Sequence, residues 1–165
     1  MRELDVVGVR VELPSNNPIV LLRERDGDRY LPIWVGAPEA SAIAYAQQGV
    51  VPPRPLTHDL LKDVIEGLGR TLQEVRIIAI RDSIFHAELV FDGGVTIGSR
   101  SSDAIALALR VGCRIVGADE VLEAGGVAVP DEDEDEVEKF REFLDQISPE
   151  DFGETGAGPT DKPES

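Results

Sequence analysis

The chain has 165 residues and a single cysteine, so it is long enough for one ordinary domain and cannot form an internal disulfide. Its formal net charge is −16, but residues 1–117 hold 15 acidic and 13 basic side chains, whereas residues 118–165 hold 17 acidic and 3 basic ones. This split weakens, without removing, the objection that an acidic chain binds nucleic acid poorly, and the absence of an apolar run of about 18 residues argues against a membrane span and a secretory signal.

The first half of the chain predicts three strands and two helices. Apolar alternation indicates strands at residues 4–13 and 19–23 and a third strand holding Ile33, which an Asp26-Gly27 turn precedes. An alanine-rich helix follows Gly36. A further helix is predicted with Thr57 as its N-cap and a glycine at 67 or 69 as its end.

The second half repeats this order. Strands are predicted at 75–80 and 84–91 and around Val95, then an alanine-rich helix and a short helix at 119–122. Residues 33–46 and 95–108 share one pattern: a β-branched strand, a glycine, five residues and an alanine-rich helix. Two matches with identical gaps suggest an internal duplication. The sequence therefore predicts one α+β domain over residues 1–125, built from two β3-α2 units with largely antiparallel pairing.

The acidity lies mainly in the C-terminal segment. Residues 131–136 are six consecutive acids, and Val137, Phe140, Leu144 and Ile147 then recur at helical spacing. Residues 126–152 are therefore predicted to be an acidic linker and an amphipathic helix, which docks on its own domain, on a second subunit or on a partner protein. Residues 153–165 lack an apolar pattern and are predicted to be disordered.

The first candidate site is the proline-rich approach to the helix at Thr57. The free N–H groups of a helix start favour a phosphate, which Arg54 could pair in bidentate fashion. His58 could act there as a general acid or base, with Asp59 beside it. Thr at the cap and Asp in the first turn are also ordinary helix-start chemistry, so a purely structural interpretation stays open.

The second candidate site is the turn that leads into the repeated helix. Ser101 or Ser102 can cap that helix, Asp103 suits its first turn, and capping gives Arg100 no role. Arg100 is a candidate phosphate ligand, and Asp103 could orient a histidine or bind a divalent ion. Glu39 occupies the matching turn of the first half and becomes interesting only if the two turns face one cleft.

Trp34, His86 and Cys113 are each predicted to have a structural rather than a catalytic role. Trp34 lies mid-strand between apolar neighbours, which is typical of a core or interface position rather than of a base-stacking platform. His86 shares the wetter face of its strand with Glu88, which favours a surface role. Cys113 is predicted to be a buried structural thiol in a reducing, cytoplasmic protein.

Three motifs in this chain resemble those of the bifunctional nuclease domain family. They are Leu-Pro-Ile-Trp-Val-Gly at 31–36, Pro-Arg-Pro-Leu-Thr-His-Asp-Leu at 53–60 and Ser-Asp-Ala-Ile-Ala-Leu-Ala at 102–108. The resemblance covers about residues 1–122, and residues 130–152 are similar to the close of actinobacterial members. It implies a small, usually self-associated α+β domain and cleavage of phosphodiester bonds in RNA and DNA. Gly98 and Ser101 depart from the family pattern, and His86 replaces a usual aromatic residue.

These observations predict a cytoplasmic nuclease, acting through acid–base chemistry or with Mg²⁺ or Mn²⁺, that works as a homo-oligomer, most simply a dimer. His58 would handle the proton, Arg54, Thr57, Arg100 and Ser102 would bind substrate, and Asp59 and Asp103 would orient His58. Asp59, Asp103 and Glu39 are also the candidate metal ligands. The acidic tail is expected to compete with nucleic acid. The alternative is a non-catalytic dimeric regulator or adaptor that binds a small anion and a protein partner.

Overall fold

Strands and helices account for most of residues 1–12 and 15–128, the parts of the chain that the computed structural model describes. The strands there are β1 (Arg2–Glu12), β2 (Asn17–Glu24), β3 (Arg29–Trp34), β4 (Leu72–Arg81), β5 (Ile84–Phe91), β6 (Thr96–Arg100), β7 (Arg114–Gly117) and β8 (Val127–Ala128). The helices are α1 (Ala37–Gln48), α2 (Thr57–Gly67), α3 (Ser101–Val111) and α4 (Asp119–Gly125).

All of these strands belong to one mixed sheet with the order β6-β5-β4-β7-β1-β2-β3-β8. Strands β1, β2 and β3 form one antiparallel meander, and β4, β5 and β6 form another. Strand β7 joins the meanders, because it pairs antiparallel with β1 and parallel with β4. The predicted α+β class and the antiparallel pairing inside each half are confirmed.

The second half contains a strand that the sequence did not predict. Strand β7 lies between α3 and α4, where two successive helices were expected after the three strands. Four residues are too few to show a period, so the apolar pair Ile115-Val116 gave no strand signal. The halves therefore differ in order, and their origin by duplication stays a prediction.

The C-terminal predictions fall almost entirely outside the described residues. Val127–Ala128 was assigned to the acidic linker, but these residues form β8, which pairs with the edge of β3. The amphipathic helix, the run of six acids and the tail at 153–165 lie beyond the described part. None of the helices within residues 1–12 and 15–128 has the length and apolar content that a membrane crossing requires.

Hairpin turns in the second half use left-handed backbone. Gly93 and Gly94, in a 3₁₀ turn between β5 and β6, have φ of 73° and 77°, as expected for the predicted turn. Asp82 and Ser83 connect β4 to β5 with φ of 52° and 64°, in the two-residue hairpin geometry that suits the twist of a β-ribbon. These turns fix the register of β5 and therefore the position of β6 at the sheet edge.

The helices differ sharply in how deeply they pack. Every residue from 104 to 108 in α3 is at most 1% exposed, because alanines let this helix lie close to α1 and the sheet. Helix α2 buries only Ile65 and exposes a row of large apolar side chains. That row consists of Leu60, Leu61, Val64 and Leu68. The start of α2 is thus held by few apolar contacts.

Charged groups inside the sheet region are paired. Glu24 is 3% exposed and accepts hydrogen bonds from Arg29 Nε at 3.0 Å and Nη2 at 3.1 Å. These bonds hold the pKa of Glu24 below its ordinary value, although burial opposes the change. Because the folded pKa is depressed, the stabilisation is complete above about pH 4.5 and is lost as the pH falls through the folded value.

We expect Glu24→Gln to lower the free energy of unfolding by about 1.5–3 kcal/mol at neutral pH, because charge-assisted hydrogen bonds are lost. The variant should also lose less stability than wild type on acidification, since it lacks this titrating group. Urea denaturation at several pH values measures both effects. Glu120→Gln, at an exposed position on α4, is the matched control. Identical acid dependence of wild type and Glu24→Gln would contradict the assignment.

Candidate functional site

Each of the three long helices carries an acidic residue at its third position. These residues are Glu39 in α1, Asp59 in α2 and Asp103 in α3. A carboxylate in the first turn interacts favourably with the free N–H groups and the positive end of the helix dipole. The first turns of α1, α2 and α3 therefore each carry one carboxylate. The chemical role of each carboxylate depends on the side chains that it contacts.

The predicted caps are wrong at both helices of interest. Thr57 is the first residue of α2, and the extended residue before it, Leu56, occupies the N-cap position. The Asp59 carboxylate supplies the missing acceptor, because it receives a hydrogen bond from the Leu56 N–H at 3.0 Å. At α3, Ser101 and Ser102 are likewise the first two helical residues, and neither side chain caps the helix. Both serines are buried. Arg100 is the extended residue that precedes the helix and occupies its N-cap position.

Four side chains meet where α1, α2, α3 and the end of β6 come together. His58 Nε2 lies 2.9 Å from Asp103 Oδ1, and Arg100 Nε donates to Asp103 Oδ2 at 2.7 Å. Arg100 Nη2 also donates to Glu39 Oε2 at 3.2 Å. We call Glu39, His58, Arg100 and Asp103 the polar cluster. The two matching turns of the halves therefore do face one cleft.

The charge on Asp103 determines which ring nitrogen of His58 donates a hydrogen bond. Burial raises the pKa of Asp103, but hydrogen bonds from Arg100 and His58 outweigh that effect and leave this pKa below its ordinary value. The ionised carboxylate can only accept hydrogen bonds, so His58 donates through Nε2. In neutral His58 the unprotonated nitrogen is then Nδ1, on a side chain that is 12% exposed. This arrangement can orient an imidazole for proton transfer.

Asp59 does not join the polar cluster. Its Oδ1 accepts a hydrogen bond from Arg110 Nε at 2.7 Å, while Arg110 Nη1 donates to the Ala106 carbonyl at 2.9 Å. Burial opposes ionisation of Asp59, yet the Leu56 N–H and Arg110 hold its pKa below the ordinary value. Asp59 and Arg110 line a separate cleft of about 480 Å³. The structure thus places Asp59 as a tie between α2 and α3.

Arg110, the partner of the predicted site residue Asp59, was not predicted from the sequence. It lies seven residues after Asp103 on α3, a spacing that puts both side chains on one helix face. Each binds one of two consecutive residues of α2: Asp103 binds His58, and Arg110 binds Asp59. The spacing was visible in the sequence, but nothing there indicated which helix would pack against that face.

Two other predicted substrate ligands lie apart from the cluster. Arg54 is exposed in the loop before α2 and has no hydrogen bond or ion pair with any residue in the described part of the chain. Ser102 is 7% exposed and lines a different cleft, which it shares with Arg100. Thr57 does lie near the cluster, in the cleft that also contains His58 and Arg100.

The described residues do not fit a divalent metal ion. Within residues 1–12 and 15–128, no group of three or more histidine, cysteine, aspartate or glutamate side chains is arranged to hold one. The carboxylates of Glu39 and Asp103 converge on the Arg100 guanidinium, and both Asp103 oxygens already accept hydrogen bonds. The third candidate ligand, Asp59, is bound to Arg110. Mg²⁺ binds through one or two carboxylates and keeps several waters, and here each candidate carboxylate is already paired with an arginine or a histidine.

The polar cluster opens into a cleft of about 1060 Å³, which we call the α2 cleft. Apolar side chains dominate its walls, and among its lining residues Arg100 is the only permanently charged cation. Those walls include Tyr45, Leu56, Leu60, Leu61, Phe91 and Ile97. The site therefore combines an oriented histidine and one guanidinium with a largely apolar surface.

This combination defines a class: an α+β domain with a cluster of histidine, arginine and carboxylate side chains at paired helix starts. The family model of the bifunctional nuclease domain matches residues 20–130, and the chain belongs to this family. Two relatives are the uncharacterized proteins MT1877 and Rv1829 of Mycobacterium tuberculosis, from strains CDC 1551 / Oshkosh and ATCC 25618 / H37Rv. Each is 54% identical over 164 residues, covering 94% of this chain and 100% of the relative.

Proposed function

We propose that this protein is a nuclease that hydrolyses phosphodiester bonds of RNA and DNA. The observation that carries the proposal is the 2.9 Å contact between His58 Nε2 and Asp103, with Arg100 bound to the same carboxylate. A general base, a group that orients it and a cation for phosphate are the parts that an acid–base phosphodiesterase needs. Membership of the bifunctional nuclease domain family supports the same reaction class.

In the proposed reaction, His58 Nδ1 accepts a proton from water as the water oxygen bonds to phosphorus. The bond from phosphorus to the leaving oxygen then breaks, and that oxygen takes a proton from solvent. Asp103 holds the imidazole and stabilises the positive charge that forms on it. Arg100 binds a non-bridging phosphate oxygen, for which its 65% exposed side chain is accessible. No step runs through Mg²⁺ or Mn²⁺, because the carboxylates converge on Arg100.

We also propose that the protein works in the cytoplasm as a homo-oligomer, most simply a dimer. The single cysteine suits a reducing compartment. The exposed leucines of α2 are the kind of surface that subunit contacts cover. Residues 1–125 together with β8 would form the nuclease-like domain, with the rest of the acidic segment up to residue 152 and the tail at 153–165 as appendages that compete with nucleic acid.

The alternative function is a non-catalytic dimeric regulator or adaptor that binds a small anion and a protein partner. The observation that favours it is the state of Arg100, whose charge is balanced by two carboxylates at 2.7 and 3.2 Å. A guanidinium so paired attracts a polyanion less than a free one. The adaptor would use the apolar row on α2 rather than the imidazole.

The test is cleavage of labelled single-stranded RNA and duplex DNA by wild type and by Arg100→Lys, with Mg²⁺, Mn²⁺ or EDTA. Lysine keeps the charge but loses the bidentate fork. We expect wild type to cleave and Arg100→Lys to be about 10- to 100-fold slower, since charge-assisted hydrogen bonds contribute about 1.5–3 kcal/mol. Arg81→Lys, at the exposed last residue of β4, is the matched control. No cleavage by wild type under any condition would favour the adaptor.

A further inference from the structure

Arg100 stands between two clefts rather than at the end of one. On one side lies the α2 cleft, and on the other lies a cleft of about 450 Å³, which we call the Trp34 cleft. Arg100 lines both of them. Arg100 is the last residue of the edge strand β6, its side chain is 65% exposed, and none of the other residues that the structure describes lines both clefts.

Both clefts present apolar side chains to solvent. In the Trp34 cleft, Trp34 is 53% exposed and Ile84 is 60% exposed, and Phe85 lies beside them. The core position expected for Trp34 is therefore wrong, and the interface position that was its alternative stays a prediction. In the α2 cleft, Tyr45 is 41% exposed and Ile97 is 51% exposed. Flat apolar surface thus flanks a single cation on two sides.

The small number of cations in the two clefts favours a single strand over a duplex as the ligand. Besides Arg100, neither cleft has a lysine or arginine among its lining residues, and the α2 cleft includes the carboxylates of Glu39 and Asp103. A duplex binds mainly through many phosphate contacts and keeps its bases stacked inside, so it could use neither apolar wall. A single strand exposes base faces, which stack on aromatic and apolar side chains. In such a strand each phosphate lies between two bases. Here the Arg100 guanidinium lies between the apolar wall of the Trp34 cleft and that of the α2 cleft.

We infer that the two clefts bind a single-stranded stretch of RNA or DNA, with one phosphate at Arg100 and the two neighbouring bases against Trp34 and against the Tyr45–Ile97 wall. This inference rests on the proposed function, because the phosphate at Arg100 is the one beside His58. It assigns Trp34, Ile84, Tyr45 and Ile97 as determinants of substrate class. The α2 and Trp34 clefts then select single strands over duplexes.

The test measures equilibrium binding by the full chain carrying His58→Gln, so that cleavage does not interfere. Labelled oligothymidine, an abasic strand of equal length and a duplex hairpin are compared by fluorescence anisotropy. We expect the base-bearing strand to bind at least about tenfold more tightly than the other two, since each stacked base contributes about 1–3 kcal/mol. Trp34, the single tryptophan of the chain, should also change its emission as the strand binds.

Substitutions in the walls of the two clefts test where the bases bind. Trp34→Ala and Ile97→Ser change opposite walls, and each should weaken oligothymidine binding by about 5- to 150-fold with little effect on the abasic strand. Leu68→Ala, 76% exposed at the end of α2 and outside both clefts, is the matched control. All three positions are exposed, and circular dichroism checks that each variant folds. Ile84→Ser is a second variant of the Trp34 wall.

Equal binding of base-bearing and abasic strands, equal binding of single strand and duplex, or unchanged binding by Trp34→Ala and Ile84→Ser would overturn the inference. So would sedimentation showing that Trp34→Ala dissociates an oligomer, because the Trp34 cleft would then be a subunit contact. The experiments distinguish failure of the proposed nuclease activity from failure of the proposed single-strand binding. Base-dependent binding without cleavage by wild type overturns only the proposed nuclease, whereas cleavage with base-independent binding overturns only this inference.

Discussion

His58→Gln is expected to lower the rate of phosphodiester cleavage by about 10²–10⁴-fold, the usual contribution of a positioned general base. Glutamine can still donate a hydrogen bond to Asp103 and fills a similar space, but it cannot accept a proton near neutral pH. The variant should therefore fold normally and bind substrate as wild type does. Steady-state cleavage of labelled single-stranded RNA measures the loss, which should fall on kcat rather than on KM.

The chain provides a matched control for this experiment. His86 is its only other histidine, and it lies on β5 directly opposite Arg100 in the strand register. It has no hydrogen bond to the polar cluster, so His86→Gln should retain cleavage within about twofold of wild type. Equal cleavage by wild type and His58→Gln, after identical purification, would assign the activity to a contaminant or to another site. Equal losses in both histidine variants would indicate general damage instead of lost proton transfer.

Arg110→Met is expected to lower the free energy of unfolding by about 2–4 kcal/mol, because it leaves the Asp59 carboxylate without its cation in a partly buried place. The arginine side chain is 8% exposed and that of Asp59 is 27% exposed, so the loss should stay below that of a fully buried pair. Few apolar contacts hold the start of α2, which makes this ion pair important for its position. Urea denaturation measures the change.

A second substitution separates lost pairing from lost packing. Asp59→Leu combined with Arg110→Met removes both charges, and the double variant should be less destabilised than the sum of the single changes. Some loss should remain, since Asp59 also accepts the Leu56 N–H. Arg81→Met, at the exposed last residue of β4, should change stability by less than about 0.5 kcal/mol. Strict additivity of the two changes would show that Arg110 and Asp59 are not energetically coupled.

The sequence predicted the strands well because their signal is local. Alternation in β5 places Ala87, Leu89 and Phe91 on the buried face, as the structure shows. Strand β7 escaped notice because its four residues become a strand only through pairing with β1 and β4, and both partners are remote in sequence. Local pattern cannot report a pairing that depends on tertiary contacts.

The candidate site was predicted residue by residue but not as an arrangement. His58 and Asp103 were each identified at helix starts, yet they are 45 residues apart, and no local pattern states that their helices pack together. The same limit misassigned Asp59, whose partner Arg110 lies on another helix. Trp34 was expected at a core or interface position because its neighbours are apolar, but it is the last residue of β3, where the chain leaves the sheet, and it does not lie in the core.

The position of β7 also bears on how the protein is made. Strand β1 is completed at residue 12, but β7, which pairs with the start of its second edge at Arg2–Leu4, ends at Gly117. At ribosomal speeds of about 5–20 residues per second, roughly 5–20 s pass between the two. Throughout that interval β1 has β2 on one side and open backbone on the other, which is the state in which strands pair with other chains. The start of β1 should therefore be open to pairing with other chains for longer than the matching edge of β4, which is completed only at residue 81.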